Sequence, residues 1–506
     1  MKTTVPPLVP ALLAGALAGA APAQIPRGEF AVGSFSLGAT PGGIVLVDPA
    51  ANASVAVTGL PNPDLNALLY DPTSADVFVG GLFAGDGHIR RVAMSGTAVT
   101  GETLFVDLAS GGSIKDIELD LQGDLVASSE SGIWRVSRAS AAATPMNASP
   151  FPGFVNAIAA SDAVYAAVFV DSSSPSTIHR LYRDGTSEVI ATTAGVVSGN
   201  QILSGLALGP GETELWACGF GVPSIVRVPV ENAGVQSPVQ PVTGVPVGLA
   251  DIDYDPAANL FYAVTSGALP HTAWVIDPSG PAPTVSTLAS FPPGPLGVPS
   301  GITVHDAGTR LVLHPGAIRT IPPGSATVEI ALHAPPGEIG LIAISALNGV
   351  FYVQELAIGV VGADGRLALP PFTFPVGPSF DGAVVRLGFA RISPGGVLLQ
   401  VDPYAAALAF DDAEGWARTL DGQPLCTQPI KIPAGQKIRV RNDGPDPAKL
   451  QIWSPGPGFL DVPGFVLLEG TESAWPPGPP LAQPAIVRVC AVSTALGGPT
   501  VHVFVE

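Results

Sequence analysis

The chain has 506 residues and a formal net charge of −19 at pH 7, from 22 basic and 41 acidic side chains. With no evident basic stripe to neutralise phosphates, the charge argues against nucleic acid or anionic lipid as a partner, and no nucleic-acid partner is expected. Only 12% of the residues are charged and 47% are apolar, with 60 Gly and 54 Pro; strands and turns use that composition and long surface helices do not, so the expected class is all-β.

Residues 1–23 have the form of a removable secretory leader. Lys2 supplies a positive end, Val9 to Ala20 an apolar stretch too short to span a bilayer, and Ala21-Pro22-Ala23 a small-residue cleavage site. The expected location is secreted, periplasmic or cell-surface, with no integral membrane segment in the mature chain.

Six times the chain then returns to one phrase, a small or polar pair followed by an aliphatic residue. The first three instances are Asn66-Ala67-Leu68, Lys115-Asp116-Ile117 and Asn156-Ala157-Ile158. Ser204-Gly205-Leu206, Ala250-Asp251-Ile252 and Ser300-Gly301-Ile302 follow, at spacings of 41 to 50 residues. That is the length of a four-stranded propeller blade. Asp-Pro turns recur at Asp48, Asp71 and Asp255, where Asp is expected to accept backbone N–H bonds and Pro to preset φ. Phe30–Phe35 and Gly43–Val47 match the second and third strands of a repeat, with no innermost strand before them. Ser300–Val304 is expected to supply it, closing a six-bladed β-propeller over residues 24–317 and removing its sheet edges.

The region resembles six-bladed propellers of the gluconolactonase/SMP-30, NHL and virginiamycin-B-lyase type. The resemblance rests on Leu203-Ser204-Gly205-Leu206-Ala207-Leu208-Gly209-Pro210 with Glu214-Leu215-Trp216, on Pro299-Ser300-Gly301-Ile302-Thr303, and on Ile117 to Leu125. It implies a divalent metal at the channel mouth, held by an Asn or Asp before the Gly of such phrases. Here Ser204 and Ser300 stand at those positions, and hydroxyls are poor ligands for a hard cation.

The other residues that begin inner strands, and so face the axis, are Asn66, Lys115, Asp116, Asn156 and Asp251; they are the candidate ligand-binding set. Asn66, Asp116, Asn156 and Asp251 offer two amide and two carboxylate groups that suit Ca²⁺ or another divalent metal. The competing expectation is that these groups hydrogen-bond neighbouring backbone. Lys115 would pair with a nearby carboxylate or bind an anion. His305 and His314 follow the closing strand and are possible channel residues. No Gly-x-Ser-x-Gly elbow occurs.

Beyond Ala317 the period stops, and Pro322-Pro323-Gly324 marks a linker. Residues 318–410 follow a strand-turn-strand rhythm expected of a small β-sandwich, with Asn348-Gly349 joining two buried strands as a hairpin. This segment is similar to C-terminal modules of exported planctomycete proteins. Residues 411–506 are expected to form a second sandwich. Ile432 to Asn442 is similar to an early cupredoxin strand, but the copper ligands do not follow it. Cys426 and Cys490 are the expected disulfide, and Cys218 a buried small hydrophobe.

Taken together, these features point to an exported, non-catalytic binding or scaffold protein without a cofactor, whose partner is an unidentified protein, glycan or small molecule. The alternative is a metal-dependent, lactonase-like hydrolase or lyase acting at the channel mouth.

Overall fold

The computed structural model describes residues 25–505 apart from 36–41, 62–63, 84–85, 109–111, 131, 162, 200, 231–235, 267–270, 280–281, 291–296, 315–316, 319–323, 348–349, 377–382, 411–414, 421–425, 455–457 and 497. The segments expected to be a leader (1–23), the Asn348-Gly349 turn and most of the linker at 322–324 lie outside these residues. The described chain is all-β, and none of its helices is long and apolar enough to cross a membrane.

Six four-stranded antiparallel sheets occupy residues 30–304. Five are meanders, each beginning at an inner strand: Ala67–Tyr70, Ile114–Leu119, Phe154–Ala160, Leu203–Leu208 and Leu249–Asp255. The sixth joins the two ends of the region, with Val298–Val304 pairing with Phe30–Phe35, which continues to Gly43–Asp48 and Ala53–Ala56. Each inner strand packs on the next, and Val298–Val304 packs back on Ala67–Tyr70, so the inner strands close a ring. This is the architecture of a β-propeller. Aromatic pairs wedge neighbouring sheets apart at a fixed spacing: Trp216 stacks on Phe261 with centroids 4.3 Å apart, and Phe30 on Tyr262 at 4.7 Å. The Asp-Pro turns form as the residue types dictate. Asp71 Oδ1 accepts the Thr73 N–H (2.8 Å), and Asp48 and Asp255 each accept two successive N–H groups.

Arg310–His314 falls inside the 24–317 span expected for the ring, yet it pairs with Gly324–His333 in a separate sheet completed by Arg366–Ala368 and Phe372–Val376. Opposite lies a five-stranded sheet in the order Ala317–Ile318, Leu398–Phe410, Ala383–Ile392, Ile339–Leu347, Val350–Val360. Val328, Ile330, Leu332, Ile342, Leu387 and Phe389 form the core between the two. The hairpin expected to be two buried strands is buried on one side only, because Ile358 and Val360 of Val350–Val360 face solvent. A last pair of four-stranded sheets encloses Ile432, Val440, Leu450, Val487 and Val503.

Both C-terminal units dock on the turns at one face of the ring. His314, far from any channel role, donates Nδ1–H to the Gln122 carbonyl (3.0 Å). Arg138 bridges buried Asp71 (2.8 Å) and Glu329 (2.7 Å). His305 donates to the Ile25 carbonyl and His333 to the Pro72 carbonyl, both at 2.7 Å, with their remaining nitrogens 3.3 Å apart. From the last unit, Gln428 donates to the Glu212 carbonyl (2.6 Å) and accepts from the Tyr165 hydroxyl (2.9 Å).

Cys218 is fully buried, and Cys426 is bonded to Cys490, tying the chain ahead of Ile430–Ile432 to the strand Ala485–Ala491. The bridge closes a long loop within one small core. Replacing both cysteines by Ser is expected to cost about 2–5 kcal/mol of stability, read as an earlier melting step in calorimetry that leaves the ring transition in place.

Candidate functional site

Each inner strand is the terminal strand of its sheet, so one edge faces the ring axis with N–H groups that no further strand can satisfy. Buried donors of this kind need acceptors. Asp116 supplies two, its Oδ1 accepting from Ile117 N–H (2.8 Å) and its Oδ2 from Ile158 N–H on the next inner strand (2.8 Å). Asp251 repeats the arrangement with Ile252 and Ile302 (2.8 and 2.9 Å), and Asp253 with Tyr254 and Val304 (2.7 and 2.8 Å). Hydroxyls stitch other junctions: Thr303 Oγ1 accepts the Tyr70 N–H (3.0 Å), and Ser204 Oγ donates to the Leu249 carbonyl (2.8 Å). Ser300 Oγ donates to the Leu65 carbonyl.

The repeated phrase now has a geometric meaning. Its first residue is the extra residue of a β-bulge, since the register steps over Lys115, Asn156, Ser204, Ala250 and Ser300. Its second residue is pressed against the neighbouring inner strand. A Cβ on Gly205 would lie 2.4 Å from Asp251 Oδ1, and one on Gly301 3.1 Å from Leu68 N. Only a very small side chain, or a carboxylate that bonds the neighbouring N–H, fits there.

The sequence-selected residues therefore divide. Asp116 and Asp251 lie on the axis and in each other's field. Asn66 and Asn156 hold the preceding position and are half-buried, the Asn66 N–H donating to the Gly80 carbonyl (2.8 Å). Lys115 pairs with the nearby carboxylate of Glu130 at 3.3 Å. Among the described residues no group of three or more His, Cys, Asp or Glu side chains is placed to hold a metal ion.

Toward the C-terminal ends of the inner strands the axis widens into a cavity of about 470 Å³, lined also by Arg310 and Val312 of the C-terminal sheets. Glu118 and Asp253 line it, over a floor that includes Ala159, Ala160, Ala207 and Gly209. Burial pushes Asp116 and Asp253 up to about 7, against the pull of their N–H donors. It drives Asp251 and Glu118 well above the usual carboxylate range, and the neighbouring carboxylates add to the effect. Glu118 and Asp253 were not selected from the sequence. The signal was present: Asp116-Ile117-Glu118 and Asp251-Ile252-Asp253 place acids two apart, on one side of a strand.

No family model and no curated protein sequence matches the chain. Among solved structures, a nidogen/laminin complex aligns at 13% identity and a TM-score of 0.43, covering 55% of this chain and 100% of that one. A gluconolactonase from Xanthomonas campestris aligns at 16% identity and 0.35, covering 55% and 89%. A calcium-binding protein, regucalcin, from Agrobacterium tumefaciens aligns at 10% and 0.37, covering 53% and 81%. At such scores the likeness adds nothing to what the strand pairing establishes.

Two outcomes follow from the axial chemistry. The raised pKa of Glu118 means that protonation favours the fold, and this contribution is present below the unfolded pKa and lost as pH rises through the folded one. Glu118→Gln should therefore raise the melting temperature by about 2–4 °C at pH 8 and leave it unchanged near pH 4; an equal shift at both would contradict the assignment. Gly205→Ala should destabilise the ring by about 2–3 kcal/mol in urea titration, because the Asp251 backbone Cα, 2.7 Å from the added Cβ, stands in the way together with Asp251 Oδ1.

Proposed function

We propose that the chain is an exported six-bladed β-propeller carrying two β-sandwich modules, and that it serves as a non-catalytic binding or cell-surface scaffold protein. In this assignment residues 1–23 are a cleaved leader, the ring runs to about residue 305, and the sandwiches follow on either side of residue 411. The observation that carries it is the commitment of Asp116 and Asp251. Both oxygens of each accept backbone N–H bonds that hold adjacent inner strands together. A carboxylate in that role cannot turn to a cation without leaving two buried donors unpaired, at about 1–3 kcal/mol each. The disulfide supports export, since such bonds persist in oxidising compartments.

The competing function, a hydrolase or lyase with a divalent metal on Asn66, Asp116, Asn156 and Asp251, requires those N–H bonds to break. Calorimetric titration of the full chain with Ca²⁺, Mn²⁺ and Zn²⁺ separates the two. The expected result is no stoichiometric binding, together with a lowered melting temperature for the Asp116→Ala, Asp251→Ala double variant. Tight binding abolished in that variant would overturn the scaffold assignment.

A further inference from the structure

The five-stranded sheet has one face on its core and one face outward, and the outward face is covered over only half its length. At one end Val384 and Arg386 are buried beneath the last pair of sheets, whose Gly415–Thr419 and Thr500–Val505 pack on Leu398–Phe410. At the other end the strand register builds two cross-strand rows on the same face. One row is Leu398, Ile392, Ile339 and Val360; the next is Val401, Ala390, Leu341 and Ile358. None of the eight is polar. Val360 is 64% exposed, Leu398 59%, and Ile358 and Val401 56% each, with Val397 in the adjoining turn at 63%. Eight of the nineteen exposed large hydrophobics among the described residues belong to this sheet and its turn.

We propose that this patch is a self-association surface, occupied by the same patch of a second copy of the chain in a two-fold dimer. Three observations select that occupant. The rows carry no charge or hydrogen-bonding group, so the complementary surface is itself apolar, and this sheet is where the chain's own exposed aliphatic residues concentrate. The patch continues directly into the face already buried by the last pair of sheets, so the same sheet surface is shown to accept a packed β-layer. The area also suffices: five exposed residues present on the order of 500 Å² of aliphatic surface, at the upper range of patches left bare on monomers. Two copies face to face would bury about 1,000 Å², the size at which specific interfaces begin. Aligned packing of two twisted sheets supplies the geometry.

The test is sedimentation velocity of the full chain at micromolar concentrations, alongside an Ile358→Lys, Val401→Lys double variant and a Leu460→Lys control on the last pair of sheets. All three positions are exposed, so circular dichroism and melting should match the wild type. The expected result is a concentration-dependent dimer for wild type and control, with dissociation raised at least about 100-fold in the double variant. A wild type that stays monomeric across the range, even if the patch then captures an apolar dye or another protein, overturns the proposal. So does a dimer that the double variant leaves intact.

Discussion

The free backbone edge on the ring axis is the constraint from which most of the molecule follows. Arranging the sheets in a ring leaves every inner strand with an edge of N–H groups facing the axis. Asp116, Asp251, Asp253 and Thr303 meet that demand by accepting N–H groups of adjacent inner strands, while the Ser204 and Ser300 hydroxyls donate to carbonyls across the same junctions. The bulge at the start of the inner strands turns the next residue onto the neighbouring strand, so one local irregularity serves both strand geometry and inter-sheet stitching.

The stitching carries an electrostatic cost. Carboxylates that cap N–H donors are favoured as anions, whereas burial in one another's company favours the neutral acid, and for Asp116 and Asp253 the balance stands near neutral pH. Glu118 lies in the same field, and burial with the neighbouring carboxylates pushes it well above the usual carboxylate range. The histidines at the docking face work in the opposite direction. Burial lowers His305 to about 4, and the stability it contributes is present above its unfolded pKa and lost as pH falls through the folded value of about 4. The ring axis and the domain junction therefore respond to pH with opposite sign.

The C-terminal sheets finish the ring as well as extending it. Arg310 and Val312 line the axial cavity, and Arg138, His314 and Gln428 connect ring turns to both C-terminal units. The Asp71-Pro72 turn is one of these docking points, His333 bonding the Pro72 carbonyl and Arg138 the Asp71 carboxylate, which is why Asp71 is buried although it belongs to a loop. The last pair of sheets packs on Leu398–Phe410 at one end of the five-stranded sheet and leaves Val360, Leu398, Ile358 and Val401 exposed at the other.

Much of the secondary structure was legible from local rules. A 41 to 50 residue period, an orphan strand pair at the start and a matching phrase at Ser300 determine a closed ring, because blade length and strand alternation are properties of contiguous residues. The Asp-Pro turns and the Cys426–Cys490 bond were equally readable, the first from side-chain chemistry and the second from having few alternatives. The axial site was legible only in part. Asp116 and Asp251 could be placed near the axis from strand position, but whether their oxygens meet a cation or the N–H groups of Ile158 and Ile302 depends on the spacing between non-consecutive strands. Glu118 and Asp253 joined the site for the same reason, and Arg310–His314 left the ring because its strand partner lies beyond the linker. Local pattern fixes which way a side chain alternates along its own strand; what it meets across the axis, and which half of a sheet face stays uncovered, is decided only when distant segments pack.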